Sequence, residues 1–240
     1  MSAPLSLRSV SKRYSKREIL RRVDIELSVG DTVALMGING AGKSTLLKSL
    51  LNLTSIDSGQ IEIFGVDHLL TESRSQLSYL AENFIAPYFA TGSDYVHYIA
   101  QLHDADLNPA VIRQECLDLE FEPDALNRPA KEYSKGMMQK LGLIGCLLTK
   151  RKLIVLDEPM SGLDPKARAL FKNRLLKLKE SATTCFFSTH QLDDIASVAD
   201  KVAILHGGKI EFFGSADDFT AAFSGDSLEQ SFLHCVENVD

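Results

Sequence analysis

No two of the four cysteines stand close enough to form a CxxC pair; Cys116, Cys146, Cys185 and Cys235 are scattered singly among apolar residues. That scatter argues against a zinc site and against a disulfide framework, and leaves small buried thiols of a reducing compartment. Long apolar runs are also missing. None approaches the roughly 18 residues that span a bilayer, so a membrane role has to come through a partner. The stretch MSAPLSLRSVSKRYSK lacks the apolar core of a signal peptide. An excess of positive charge is lacking as well. With 26 Lys and Arg against 32 Asp and Glu, the formal charge of -6 speaks against a nucleic-acid binder built on a broad basic surface.

What is present is an ordinary globular composition. The 240 residues are 45% hydrophobic and 24% charged, enough for one large domain or two lobes. Short β-type runs recur at 5–10, 32–36, 60–64, 77–80, 153–156, 184–188 and 201–205. LIVL (153–156) and TCFFS (184–188) are apolar throughout, the mark of central parallel strands covered on both faces. HGGK (206–209) before IEFFG reads as a hairpin turn. Helices are expected at 43–51 and 165–179. In the latter, Asp164 caps, Pro165 suits the first position, and Leu170, Phe171, Leu175 and Leu178 share a face. From about 83 to 150 the pattern is helical without clear strands, with Tyr95, Ile99 and Leu102 at helical spacing. The tail SLEQSFLHCVE places Leu228, Phe232 and Val236 four apart, a docking helix.

MGINGAGKSTLL (36–47) matches G-x-x-x-x-G-K-[ST] without a mismatch, through Gly37, Gly42, Lys43 and Ser44, with Gly40 in addition. A strand precedes it and a helix follows, the context the motif needs. A plain turn is the competing reading, but the context favours a phosphate cradle. In such a cradle the backbone from Gly37 through Ile38, Asn39, Gly40, Ala41 and Gly42 turns its N–H groups inward at a helix N-terminus. Lys43 then reaches the terminal phosphates, Ser44 ligates Mg²⁺ and Thr45 contacts the α-phosphate. LIVLDEP supplies the carboxylates: Asp157 for the metal shell, and Glu158 at the strand edge to polarise an attacking water.

With these motifs on the page, the sequence resembles the ATP-binding subunits of ABC transporters over nearly its whole length. YSKGMMQK (133–140) lies where that family carries its LSGGQ signature; Ser134 and Gly136 match, while Tyr133, Lys135 and Met137 replace the commoner residues. SGLDP (161–165) resembles the D-loop, with Asp164 among the nucleotide-contacting positions. STHQLDD (188–194) resembles the switch segment, with His190 as its histidine. Tyr14 occupies the position of the aromatic that stacks on adenine. One departure stands out: Glu82, after LSYL, replaces the usual Q-loop glutamine. It can still ligate Mg²⁺, but a carboxylate only accepts hydrogen bonds.

The resemblance implies an α/β fold of the P-loop ABC ATPase type. Its central sheet is mainly parallel, with an N-terminal antiparallel β subdomain and an inserted helical subdomain. The expected division is an ATPase domain over 1–222, with a core of 1–82 and 150–222 and a helical part at about 83–149, then a tail over 223–240. It further implies ATP and Mg²⁺ as ligands, a head-to-tail dimer in which Ser134 and Gly136 face the nucleotide of the opposite chain, and a permease on a separate membrane chain. The expected function is ATP-driven export, most like bacterial drug, antibiotic or polysaccharide systems, on the cytoplasmic face of the inner or plasma membrane and without nucleic acid. Two other classes compete: a soluble ABC ATPase uncoupled from transport, and a binding module that has lost hydrolysis. The intact Lys43, Asp157, Glu158 and His190 speak against the last.

Overall fold

The computed structural model describes residues 2–105 and 107–237. The chain opens with strands β1 (Leu5–Tyr14), β2 (Arg17–Leu27) and β3 (Thr32–Met36), helix α1 (Lys43–Leu50), and strands β4 (Ser58–Ile63) and β5 (Val66–Asp67). Strand β6 (Leu77–Leu80) leads into helices α2 (Gly92–Leu102), α3 (Pro109–Asp118) and α4 (Lys135–Leu148). The last part alternates: β7 (Leu153–Leu156), α5 (Pro165–Glu180), β8 (Thr184–Thr189), α6 (Leu192–Val198), β9 (Lys201–His206) and β10 (Lys209–Gly214). Helices α7 (Ala216–Ala222) and α8 (Leu228–Glu237) complete the described chain.

Two sheets form. One is antiparallel, in the order β2-β1-β4-β5; the other has the order β10-β9-β3-β8-β7-β6. In the second sheet β9, β3, β8, β7 and β6 run parallel, and β10 closes one edge antiparallel to β9. Strands β3, β7 and β8 are buried along their whole length, as continuous apolar runs require when both faces are covered. Successive residues of these strands feed opposite cores. Val33, Leu35, Val155 and Phe186 pack with Leu46 and Leu47 of α1 and with the antiparallel sheet. Ala34, Met36, Ile154, Leu156 and Phe187 pack instead against helices, among them Phe171 and Leu175 of α5.

Several sequence expectations shift by a few residues for physical reasons. β1 continues past residue 10 to Tyr14 because β2, a strand not anticipated, pairs with it to the hairpin tip. The strand expected at 60–64 runs from Ser58 to Ile63, and Phe64 turns away with φ +51°. In α2 the buried face is Tyr95, Val96 and Ala100, while Leu102 is exposed. In α5 Ala167 joins Phe171, Leu175 and Leu178 among the buried residues, while Leu170 is only half-buried. Ser231 and Cys235 are the buried residues of α8, flanked by Leu228 and Phe232. Residues 238–240 of the expected tail lie outside the described residues. Within 83–149 the described elements are α2, α3, α4 and short 3-10 turns. All four thiols are free and buried. No helix among the described residues is long and apolar enough to cross a membrane.

Candidate functional site

The site grows from the carboxyl ends of β3, β7 and β8, which lie level because the parallel register pairs Met36 with Thr189 and Leu156 with Phe187. The chain leaving β3 must bend at once into α1, and glycine makes that possible. A Cβ on Gly37 would stand 2.4 Å from the Leu205 carbonyl oxygen, and Gly42 turns into the helix at φ +113°. Lys43 at the start of α1 folds back over this loop. Its Nζ donates to the carbonyl oxygens of Gly37 at 2.7 Å and Ile38 at 3.4 Å, and lies 3.9 Å from Glu158 Oε1.

The carboxylates come from the turn after β7. Asp157 is buried, and its Oδ1 accepts a hydrogen bond from Ser188 Oγ at 2.6 Å. The same Ser188 oxygen accepts the Glu158 N–H at 2.8 Å, which holds Glu158 in the left-handed region at φ +49°. Glu158 Oε2 lies 2.9 Å from His190 Nδ1; since a carboxylate only accepts, the ring hydrogen belongs on that nitrogen. The carboxylates also act on a neighbour. Burial, with the charges of Asp157 and Glu82 adding to it, pushes the Tyr79 phenol up to about 12.

These groups surround a cleft of about 550 Å³. Of the residues singled out from sequence, Tyr14, Asn39, Gly40, Gly42, Lys43, Ser44, Thr45, Glu82, Glu158 and His190 line it. Asp157 sits beneath Glu158 on the Ser188 hydroxyl. Gly37 and Ala41 are buried under the loop, and Ile38 faces a neighbouring cavity that includes His206. Ser134, Gly136 and Asp164 do not line the cleft. Ser134 caps α4 by accepting the Met137 N–H at 3.2 Å. Asp164 caps α5 through the N–H groups of Lys166 and Ala167, at 3.0 and 2.9 Å. The Ala167 hydrogen bond, chiefly, holds its carboxyl below the usual range, with Lys140 assisting. Gly136 and the 161–165 segment are nonetheless neighbours: a Cβ on Gly136 would lie 3.1 Å from the Gly162 carbonyl oxygen.

Sequence reasoning did not single out Arg17, Ile19 and Ser161, which also line the cleft, nor the bridging role of Ser188. The signals existed: Arg17 and Ile19 follow Tyr14 closely, and Ser161 and Ser188 open segments already of interest. The donor set suits the expected ligands. Exposed backbone N–H groups, a helix N-terminus and Lys43 fit a chain of phosphates, and the oxygens of Ser44, Asp157 and Glu82 fit a hard cation such as Mg²⁺.

Residues 20–161 match a protein-family model described as "ABC transporter". An uncharacterized ABC transporter ATP-binding protein of Synechocystis is 34% identical over 83% of this chain, which spans 57% of that protein's length. A daunorubicin resistance ATP-binding protein of Streptomyces coeruleorubidus is 28% identical over 94% of this chain and 72% of its own. An sn-glycerol-3-phosphate import ATP-binding protein of Rhizobium johnstonii is 28% identical over 93% of this chain and 63% of its own. Among solved structures, an ATP-binding subunit of an ABC transporter superposes with a TM-score of 0.85 at 28% identity, covering 96% of this chain and 98% of that one.

Proposed function

This chain belongs to the ABC transporter family, and on that premise we propose that it is the ATP-binding and ATP-hydrolysing subunit of a multi-subunit exporter. The observation that carries the reading is the meeting of Lys43, Glu158 and His190 at one end of a glycine-lined cleft. The cleft arranges binding, charge and a base in one place, and phosphoryl transfer needs little else.

The steps follow from what each side chain does. Gly40 and Gly42 leave the loop N–H groups free for the phosphates, and Tyr14 offers a ring to the base. Lys43 gives up Glu158 for the incoming phosphates, which releases the Glu158 carboxylate to accept a proton from water. Its neighbour His190 keeps that carboxylate aimed and faces the charge that builds on the γ-phosphate. Asp157, Ser44 and Glu82 would hold Mg²⁺, which when bound offsets phosphate charge. The Ser134 end of α4 and Asp164 lie outside the cleft of their own chain. They serve the nucleotide of a second copy in a head-to-tail dimer, so that loss of the γ-phosphate loosens the pair. The 83–149 helices pass that movement to a permease on a separate chain, at the cytoplasmic face of the membrane. The daunorubicin resistance relative supports export among the directions open to the family.

Replacing the base tests the core of this reading. Glu158→Gln is expected to keep ATP binding, to lower hydrolysis by about a hundredfold or more, and to trap a dimer visible by size-exclusion chromatography with ATP. Turnover near wild type would remove Glu158 from the role of base. Co-purification with an integral membrane protein separates a transporter subunit from an ATPase uncoupled from transport.

A further inference from the structure

Tyr14 stands at the tip of the hairpin joining β1 to β2, with 48% of its surface exposed. A ring so placed has no core to fix it, yet the structure surrounds it with specific contacts. Lys12 Nζ lies 5.2 Å from the ring centroid, and the Tyr14 hydroxyl is 3.2 Å from Thr54 Oγ1. Lys12 itself is buried, its side chain only 8% exposed. Its ammonium donates to Ser55 Oγ at 3.2 Å and lies 3.7 Å from Asp57 Oδ1. Asp57 in turn clasps the strand on either side of Lys12. Its Oδ2 accepts the Arg13 N–H at 2.6 Å, and its own N–H donates to the Ser11 carbonyl at 2.9 Å.

Thr54, Ser55 and Asp57 all belong to the loop between α1 and β4, and α1 is the helix that starts at Lys43. The ring is thereby tied to the far end of the phosphate-binding helix, on the same body as the cradle. Burying an ammonium is costly unless it is paired, and Ser55 and Asp57 supply that pairing here. A cation against one face of an aromatic ring is attracted by the ring's quadrupole and restricts where the ring can go. Tyr14 also lines the cleft that holds the phosphate-binding loop.

We propose that Lys12, anchored by Ser55 and Asp57, is a positioning residue that holds the Tyr14 ring ready for the nucleotide base, with Thr54 fixing the hydroxyl end. The proposal rests on the reading of Tyr14 as the adenine-stacking residue. Ordering the ring beforehand removes a cost that binding would otherwise carry, so the tether acts on the base and not on the phosphates.

Calorimetric titration of the full chain with Mg-ADP and with Mg-pyrophosphate separates the two, since only ADP carries the base. Lys12→Met is expected to weaken ADP binding by about fivefold and to leave pyrophosphate binding unchanged. Lys12→Arg, which keeps the cation, restores ADP affinity, and adding Lys12→Met to Tyr14→Ala has no further effect. Equal weakening of ADP and pyrophosphate, unchanged ADP binding, or an undiminished effect in the Tyr14→Ala background would each overturn the tether. Unchanged ADP affinity in Tyr14→Ala alone overturns the stacking reading, and the tether with it. If thermal unfolding shows Lys12→Met to be misfolded, Thr54→Val reads the tether from its exposed end. Weaker ADP with normal pyrophosphate binding supports it, and unaltered ADP binding overturns it.

Discussion

At the scale of single residues, the site depends on groups that serve two partners at once. The Ser188 hydroxyl donates to Asp157 and accepts from the Glu158 N–H, so one oxygen sets the carboxylate proposed to hold Mg²⁺ and the strained turn beside it. Burial acts on other residues through their titration. It pushes the Cys116, Cys146 and Cys235 thiols up to about 11 and Cys185 to about 12, from 9.0. Well below pH 9 these thiols are protonated in both the folded and unfolded chain and add no pH dependence. Above it the unfolded thiols ionise while the folded ones hold their protons, so stability is lost as pH rises toward the folded values. The midpoint of thermal unfolding is therefore expected to fall between pH 8 and pH 10.5. The fall should be smaller in Cys185→Ala than in wild type; an equal fall in the two proteins would remove Cys185 from the account.

At the scale of elements, helix starts are written in short polar signals. Thr91 accepts the Asp94 N–H at 3.1 Å while Asp94 accepts the Thr91 N–H at 2.8 Å, a reciprocal cap at the head of α2. The Thr91 N–H and the Thr91 hydroxyl, the latter at 2.7 Å, donate to the Asp94 carboxylate and hold it below its usual value. Thr91→Ala is expected to cost about 1 kcal/mol in urea unfolding, with faster hydrogen exchange confined to the first turn of α2. A cost under about 0.3 kcal/mol would mean that packing against α4, not the cap, holds that helix in place. Asn108 before Pro109 and Asp164 before Pro165 cap α3 and α5 in one direction only, by accepting first-turn N–H groups. β2 shows the opposite case. Its Val23, Ile25 and Leu27 alternate as a half-buried strand should, but its first residues do not, so the strand's length comes from pairing with β1.

At the scale of the whole molecule, the parallel sheet separates two cores and sets their distance. Phe171 is fully buried in the core that joins α5 to the sheet. Phe171→Ala should cost about 3–5 kcal/mol in chemical unfolding, because the helix–sheet contact relaxes only in part around the lost ring. A cost below 1 kcal/mol would mean that this core can collapse around the gap. The same sheet brings Lys43, Glu82, Glu158 and His190, which are far apart along the chain, into one cleft, and the antiparallel sheet adds Tyr14 from the end of β1.

What the sequence determined alone was local. The spacing of Gly37, Gly42 and Lys43 dictates a backbone that loops and then turns helical, and unbroken apolar runs dictate covered strands. The order of the motifs was enough to name the family and most of the cleft. Tertiary structure decided which distant atoms meet: Ser188 under Asp157, Arg17 beside the glycine loop, Lys12 against the ring of Tyr14. It also decided that Asp164, legible in the sequence as the cap of α5, lies outside the cleft of its own chain. The physical reason is range. Backbone preferences act over a few residues, whereas these contacts depend on strand register and on a core that both sheets share with α1, which no single segment encodes.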